Sequence, residues 1–222
     1  MGDIRMGPPE RLVLGLRDAL AAKTFIETGT FRGATAEWAS RHFDQVHSIE
    51  RAEALYNETG KRLGQVSNLE LHLGDTREVL PDLVATLQAP AILWLDAHWS
   101  GGITSGEGDE CPLLDELAIA DQASAEVAVL VDDARYFLSA PPAPHSLDDW
   151  PDLAEVVTVL AKGRERYVAV TEDVIVSVAM NHRDVVVEHC RQLATAALPK
   201  KSALRRGLRN ATRGLKRLKS GQ

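Results

Sequence analysis

The feature that most constrains this chain is an alternation of short apolar runs with helix-length amphipathic stretches. Strand-like runs fall at 23–29 (KTFIETG), 45–50 (QVHSIE), 69–75 (LELHLGD), 91–98 (AILWLDAH) and 126–134 (EVAVLVDDA), then at 166–171 (RYVAVT) and 174–180 (VIVSVAM). Helical periodicity occupies 9–22, 34–43, 52–64, 76–88, 112–124, 149–162 and 183–196. Strands that are apolar almost throughout need cover on both faces. Helices placed between them supply it, so the pattern predicts an α/β chain with a parallel sheet between two helical layers. The last two runs are close enough to form a hairpin. With 222 residues and 45% hydrophobic content, one substantial core is expected, in a single domain over 1–199.

Composition narrows the class further. No window approaches the ~20 apolar residues of a membrane-spanning helix. The opening MGDIRMGPPE lacks the apolar core of a secretory signal. Cys111 and Cys190 stand alone, without CxxC or Cys/His zinc spacing, which points to a reducing, cytoplasmic setting. The net charge of -7 conceals an asymmetry. Residues 200–222 carry nine Lys/Arg and no acid, leaving 16 basic against 32 acidic side chains in 1–199. In that tail Leu204, Leu208, Ala211, Leu215 and Leu218 share one helical stripe. The expectation is a basic amphipathic helix or tail suited to an anionic membrane surface, with a plain solvated tail as the alternative. The tail has no aromatic residues for stacking on bases, so nucleic acid is not an expected partner.

Two stretches interrupt the alternation. Residues 99–111 (WSGGITSGEGDEC) are rich in Gly, Ser and acids, and 139–151 (SAPPAPHSLDDWP) are rich in Pro. Both follow strands that end in acids, so both are expected over the carboxyl edge of the sheet, where open α/β folds bind ligands. Connections this long in a compact domain tend to be functional lids.

The first of those ligands is suggested by FIETGTFRGATAEWAS (25–40). A phosphate loop would need GxxxxGK[ST] and a dinucleotide fingerprint GxGxxG; neither is present. What remains is Glu27-x-Gly29-x-x-x-Gly33, with Thr28 and Thr30 completing the loop. An acid at a strand end can pair with the ammonium of an amino-acid ligand, glycines admit close backbone approach, and a following helix start can receive a carboxylate. Glu50 closes the second strand about twenty residues later, suitably placed for ribose hydroxyls. Gly74-Asp75 closes the third, suitably placed for adenine. S-adenosylmethionine (SAM) needs all of these features together.

ETGTFRGA resembles the variant first motif of class I SAM-dependent methyltransferases, with an aromatic in place of the middle glycine. In particular it is similar to the metal-dependent sugar O-methyltransferases of the macrocin O-methyltransferase group, a likeness extending over about 25–135. The resemblance implies a Rossmann-like, seven-stranded, mostly parallel sheet whose last strand is antiparallel, and an enzyme that pairs as a homodimer.

The expected chemistry sits at two strand ends. In WLDAHWSGG, Asp96 and His98 are two apart, so alternation aims them the same way. In VLVDDAR, Asp132 and Asp133 would repel unless a cation, a shared proton or Arg135 relieved them. Asp96, Asp132 and Asp133 together form a candidate hard-oxygen site for Mg²⁺ or Mn²⁺, and Asp96 also borders the cofactor loop. Such an ion would acidify a sugar hydroxyl, and His98 is the candidate base. The family typically has Asp-Gly-Asp where this chain has Asp-Ala-His. His145, expected in an exposed loop, is a second candidate base or substrate contact. Trp99 and Trp150 are candidates for stacking on a sugar, while Glu107, Asp109 and Glu110 are expected to be solvated. His42, His47, His72, His182 and His189 attract no site hypothesis. The expected acceptor is a saccharide or glycoside hydroxyl, such as a mannoside of an actinobacterial methylated polysaccharide. Two alternatives stay open: a metal-independent small-molecule methyltransferase with a His base, and a non-catalytic cofactor-binding module with a membrane- or polymer-binding tail.

Overall fold

The computed structural model describes residues 7–99, 106, 108–161 and 165–197. Seven strands form one sheet: β1 (Thr24–Thr28), β2 (Gln45–Glu50), β3 (Leu69–Leu73), β4 (Ala91–Leu95), β5 (Val127–Val131), β6 (Arg166–Thr171) and β7 (Val174–Ala179). Their spatial order is β3-β2-β1-β4-β5-β7-β6, and β7 alone runs against its neighbours. The expected seven-stranded sheet with an antiparallel last strand is therefore present. Register decides where the chemistry falls. Thr28 is level with Leu95, and Leu95 with Val131, so the carboxyl ends of β1, β4 and β5 reach one line. The segments beginning at Gly29, Asp96 and Asp132 leave the sheet side by side.

Burial explains why these segments are strands in the middle of a sandwich. Every residue of β1, β4 and β5 is buried, whereas β3, at the sheet edge, is mixed. One face is covered by α4 (Thr76–Ala85), α5 (Leu113–Ala120) and α7 (Leu153–Ala161), which bury Leu80, Val84, Leu113, Leu117, Val156 and Leu160 with Ile26, Ile49, Leu93 and Val129. On α1 (Glu10–Leu20), Leu12, Val13, Leu16 and Leu20 recur at helical spacing and are buried. Phe25 packs its ring 5.1 Å from Phe43 and 6.2 Å from Trp38 of α2 (Ala34–Ser40). The remaining helices are α3 (Glu53–Leu63), the short α6 (Arg135–Leu138) and α8 (Arg183–Ala197).

Several elements are shorter than periodicity predicts. The run 126–134 stops as a strand at Val131, because Asp133 turns to a left-handed φ of 56° and α6 follows at once. Helix 112–124 ends at Ala120, and 149–162 begins only at Leu153, after a 3₁₀ turn over Leu147–Asp149. The β6–β7 hairpin turns at Glu172 and Asp173, both at positive φ (49° and 66°), the pattern of a type I′ turn. Among the described residues the chain separates into two compact units that divide between Val186 and Val187, within α8. The predicted tail at 200–222 lies outside the described residues, as do 100–105 and 107 of the first long loop. Among the described residues no helix is long and apolar enough to cross a membrane.

Candidate active site

The loop after β1 is tied to β2 by its own backbone. Gly29 and Thr30 both donate N–H to the Ile49 carbonyl (2.9 and 3.1 Å), and Phe31 N–H donates to Glu50 Oε2 at 2.8 Å. Glu50 Oε1 accepts from Ala52 N–H at 2.7 Å, so this buried carboxylate spans two segments at the end of β2. Gly29 (φ +83°) is pressed against β4: a Cβ there would overlap the Asp96 carbonyl oxygen. Gly33 (φ +69°) leaves room for Thr59 and Leu63, whose side-chain atoms would lie 2.7 and 2.8 Å from a Cβ. Phe31 adopts a left-handed conformation at φ 47°, at some conformational cost, and is 41% exposed.

Glu27 is only 1% exposed and accepts a hydrogen bond from Ser48 Oγ at 2.5 Å; Thr30 Oγ1 lies 2.6 Å from the same hydroxyl. Burial pushes its carboxyl up to about 8 from 4.5, more than the Ser48 and Thr35 hydroxyls can offset. A folded-state pKa above the unfolded value means stability that is complete below 4.5 and lost as pH rises through about 8. The loss from Glu27 alone is about 1.4 kcal/mol per pH unit within that window. Asp132 and Glu116, each pushed to about 7 chiefly by burial, act in the same direction. Melting temperature should thus fall between pH 4.5 and 8 in the absence of ligand, and Glu27→Gln should flatten that slope. An unchanged slope in the variant would show that Glu27 is not the titrating group.

The ends of β4 and β5 meet through an imidazole. His98 is 8% exposed; its Nε2 lies 2.8 Å from Asp133 Oδ2, and its Nδ1 lies 3.7 Å from Asp96 Oδ1. Asp133 is in turn held by Arg135, whose guanidinium reaches Oδ1 at 2.5 Å and also binds Asp173. The Arg135 N–H donates to Asp173 Oδ1 at 2.9 Å, so the β6–β7 turn braces the strained Asp133 segment. Burial alone would depress the His98 pKa. The hydrogen bond to Asp133 and the charges of Asp96, Asp133 and Asp132 outweigh it, and the net shift is upward from 6.5. Burial would raise Asp133, but His98 and Arg135 hold it below the ordinary carboxylate range. Asp96 moves the other way, well above that range, through burial and the neighbouring carboxylates.

The two long loops are joined by a residue that composition hides. Glu110, expected to be solvated, is 4% exposed and accepts from Trp150 Nε1 (2.7 Å) and Ser146 N–H (3.1 Å), with His145 Nδ1 at 2.9 Å. Two further expectations are corrected with it. His145 is not an exposed loop histidine, since its side chain is 8% exposed and bound to Glu110. Trp150 is 7% exposed within a ring cluster of His98, Tyr136, Phe137 and His145, so it does not present a stacking surface. Asp75 caps α4 through the Arg77 N–H at 2.9 Å and pairs with the Arg77 guanidinium at 2.7 Å. Arg77 also binds Asp109, as does Arg51 at 3.2 Å, fastening the first loop to the ends of β2 and β3. Glu116 was missed altogether. It is 1% exposed on the buried face of α5 and shares that face with Leu113, Leu117 and Ala120; an acid at that spacing was the available signal.

The donor set fits a divalent ion poorly. Both oxygens of Asp133 are engaged, by His98 and Arg135, and Asp132 Oδ1 accepts the Asp133 N–H at 2.7 Å. Among the described residues, the set of three ligands with one donor atom each within 4.8 Å of one another is His47, Glu70 and His72; Asp96, Asp132 and Asp133 do not form such a set. As arranged, Asp133 is held by a histidine and an arginine, Asp96 lies 3.7 Å from the same histidine, and Asp132 accepts a backbone N–H.

No protein-family model matches the sequence, and a search of curated proteins gives no match. The structure, in contrast, is similar to several solved methyltransferases. The O-methyltransferase TomG from Streptomyces achromogenes, involved in tomaymycin synthesis and solved in complex with SAM, superimposes with a TM-score of 0.55 at 17% identity, over 80% of this chain and 82% of that one. An O-methyltransferase from Bacillus cereus in complex with SAH gives 0.54 at 14%, over 79% and 82%. A putative caffeoyl-CoA O-methyltransferase from Staphylococcus aureus gives 0.55 at 13%, over 79% and 86%. The chain has the Rossmann-like fold of these class I methyltransferases.

Proposed function

We propose that this chain is a SAM-dependent O-methyltransferase in which His98, oriented by Asp133, removes the proton of the acceptor hydroxyl. The observation that carries this reading is the 2.8 Å contact between His98 Nε2 and Asp133 Oδ2, beside the Gly29 loop at the ends of β4 and β5. Asp133 is the more acidic partner and accepts the Nε2 proton. That fixes the tautomer and leaves the Nδ1 lone pair to act as the base. Glu27 receives the ammonium of the donor, which supplies the charge that Glu27 lacks when it is buried alone. Glu50 is assigned to the ribose hydroxyls, and Thr28, Thr30 and Gly33 to the loop around the donor. SAM supplies the electrophilic methyl. The acceptor O–H proton passes to His98 Nδ1, the oxygen pair forms the new O–CH₃ bond, and the S–CH₃ bond breaks onto sulfur. Asp133 stabilises the imidazolium that results.

Acidity selects the acceptor class. A phenol ionises near pH 10, about 3 units above a histidine base. A hydroxyl as weakly acidic as water, near 15.7, stands about 9 units above it. At about 1.4 kcal/mol per unit, proton transfer costs about 4 kcal/mol in the first case and about 12 in the second. A His–Asp pair working alone therefore suits a phenolic or comparably acidic hydroxyl. For a sugar hydroxyl, a Lewis acid on the oxygen would lower that cost. That second reading, with Mg²⁺ or Mn²⁺ at Asp96, Asp132 and Asp133, is favoured by the gathering of these three acids at adjacent strand ends, and it requires Asp133 to leave Arg135. One experiment separates the two. Methyl-labelled SAM is incubated with panels of phenols and of sugars, with and without EDTA, and products are read by mass spectrometry. The expected outcome is labelled phenols at a rate EDTA leaves unchanged. Labelled sugars whose formation stops in EDTA and resumes with Mg²⁺ would replace this reading with the second.

A further inference from the structure

Away from the cofactor loop, two histidines and a glutamate face each other across β2 and β3. His47 and Glu70 are direct partners in the ladder, and His72 lies two residues beyond Glu70, so all three side chains leave the same face of the sheet. His47 Nδ1 stands 3.1 Å from His72 Nε2 and 3.6 Å from Glu70 Oε2. One donor atom from each residue lies within 4.8 Å of the other two. A tetrahedral ion with bonds of about 2.0–2.2 Å holds its ligand atoms about 3.4 Å apart, a spacing that the two measured distances straddle.

We propose that His47, Glu70 and His72 bind a divalent late-transition-metal ion, zinc by ligand chemistry, with water as its fourth ligand. Two imidazole nitrogens and one carboxylate select zinc over magnesium or calcium, which require oxygen ligands. In the absence of an ion the two rings can share a single N–H···N proton; the ion replaces that proton and adds the carboxylate. The consequence is mechanical. β3 is an edge strand bonded only to β2, and the ion would staple it there, one residue before Leu73 and three before the Asp75 cap of α4.

The test uses the full-length, tag-free protein after chelator treatment. Calorimetric titration with Zn²⁺ should give one equivalent bound. Melting temperature should rise by about 5–10 °C at a hundredfold excess over Kd. Co²⁺ should show the absorption of a tetrahedral site. His72→Gln should weaken binding by more than about tenfold, since losing even an outer partner of a ligand costs that much. Glu70→Gln alters a side chain that is 67% exposed and so leaves the fold intact, and it should weaken binding in the same way. Absence of Zn²⁺ binding in the wild type would overturn the proposal. Wild-type affinity in both variants would do so as well, because the ion would then be bound elsewhere, for instance at Asp96, Asp132 and Asp133.

Discussion

His98→Ala should reduce methyl transfer by about 10²–10⁴ while leaving donor affinity near its wild-type value. The separation follows from where the side chain sits. His98 touches Asp133, Asp96 and the Trp150 ring cluster, whereas the contacts assigned to the donor belong to Glu27, Glu50 and the Gly29 loop. Removing the imidazole does not orphan Asp133, because Arg135 still holds its Oδ1 and the Asp173 turn still holds Arg135. The folded state should therefore survive, and single-turnover rates with the product profile unchanged would isolate the chemical step. Full turnover in His98→Ala would remove this residue from the mechanism. His145 would not inherit the role, since it is bound to buried Glu110.

Gly29→Ala should be the most damaging change to the fold among the loop residues. The added methyl would have to occupy the space of the Asp96 carbonyl oxygen, and Asp96 is itself tied to the end of β1 by its N–H bond to the Thr28 carbonyl at 3.1 Å. Neither partner can yield without breaking the ladder. The positive φ of 83° adds about 1–2 kcal/mol for any residue with a Cβ, and overpacking adds about 1–3 more. A loss of about 2–5 kcal/mol corresponds to a drop in melting temperature of about 4–20 °C for a chain of this size. Donor binding should fall with it, because displacing the Gly29 loop displaces Phe31 and hence Glu50. A variant with the wild-type melting temperature and donor affinity would mean that the loop does not approach β4 as described.

What the sequence revealed, and what it concealed, divides by the range of the interaction. The central strands were legible because β4 and β5 are buried throughout and so read as unbroken apolar runs, with Phe25 and Ile26 marking β1 beside them. Glu27, Glu50, Asp75, Asp96 and Asp132 were legible because each sits where such a run stops, and parallel order places those stops on one edge. The partners of these acids were not. His98 meets Asp133 across 35 positions, and Glu110 meets Trp150 across 40. Such pairings depend on how two irregular loops fold over the sheet, and no local period encodes them. Glu110 looked like one acid among several in a polar loop, yet it is the buried acceptor that joins both loops. His47 and His72 each looked like an ordinary strand residue; only the β2–β3 register brings their rings within 5.3 Å. The adjacent acids at 132–133 suggested a cation, and Arg135 and His98 occupy much of that role.

In the proposed mechanism Asp133 and His98 act as one proton-accepting unit. The dependence of the methyl-transfer rate on pH, measured for wild type and Asp133→Asn with the acceptor found in the labelled panel, tests that directly. In the proposed mechanism neutral His98 is the active form, and its neighbours raise its pKa, so the wild-type rate should climb with pH through an inflection above 6.5. Asp133→Asn removes the hydrogen-bonded charge; the inflection should move to lower pH while the plateau rate falls. Superimposable profiles, or a profile set by added Mg²⁺ rather than by pH, would contradict it.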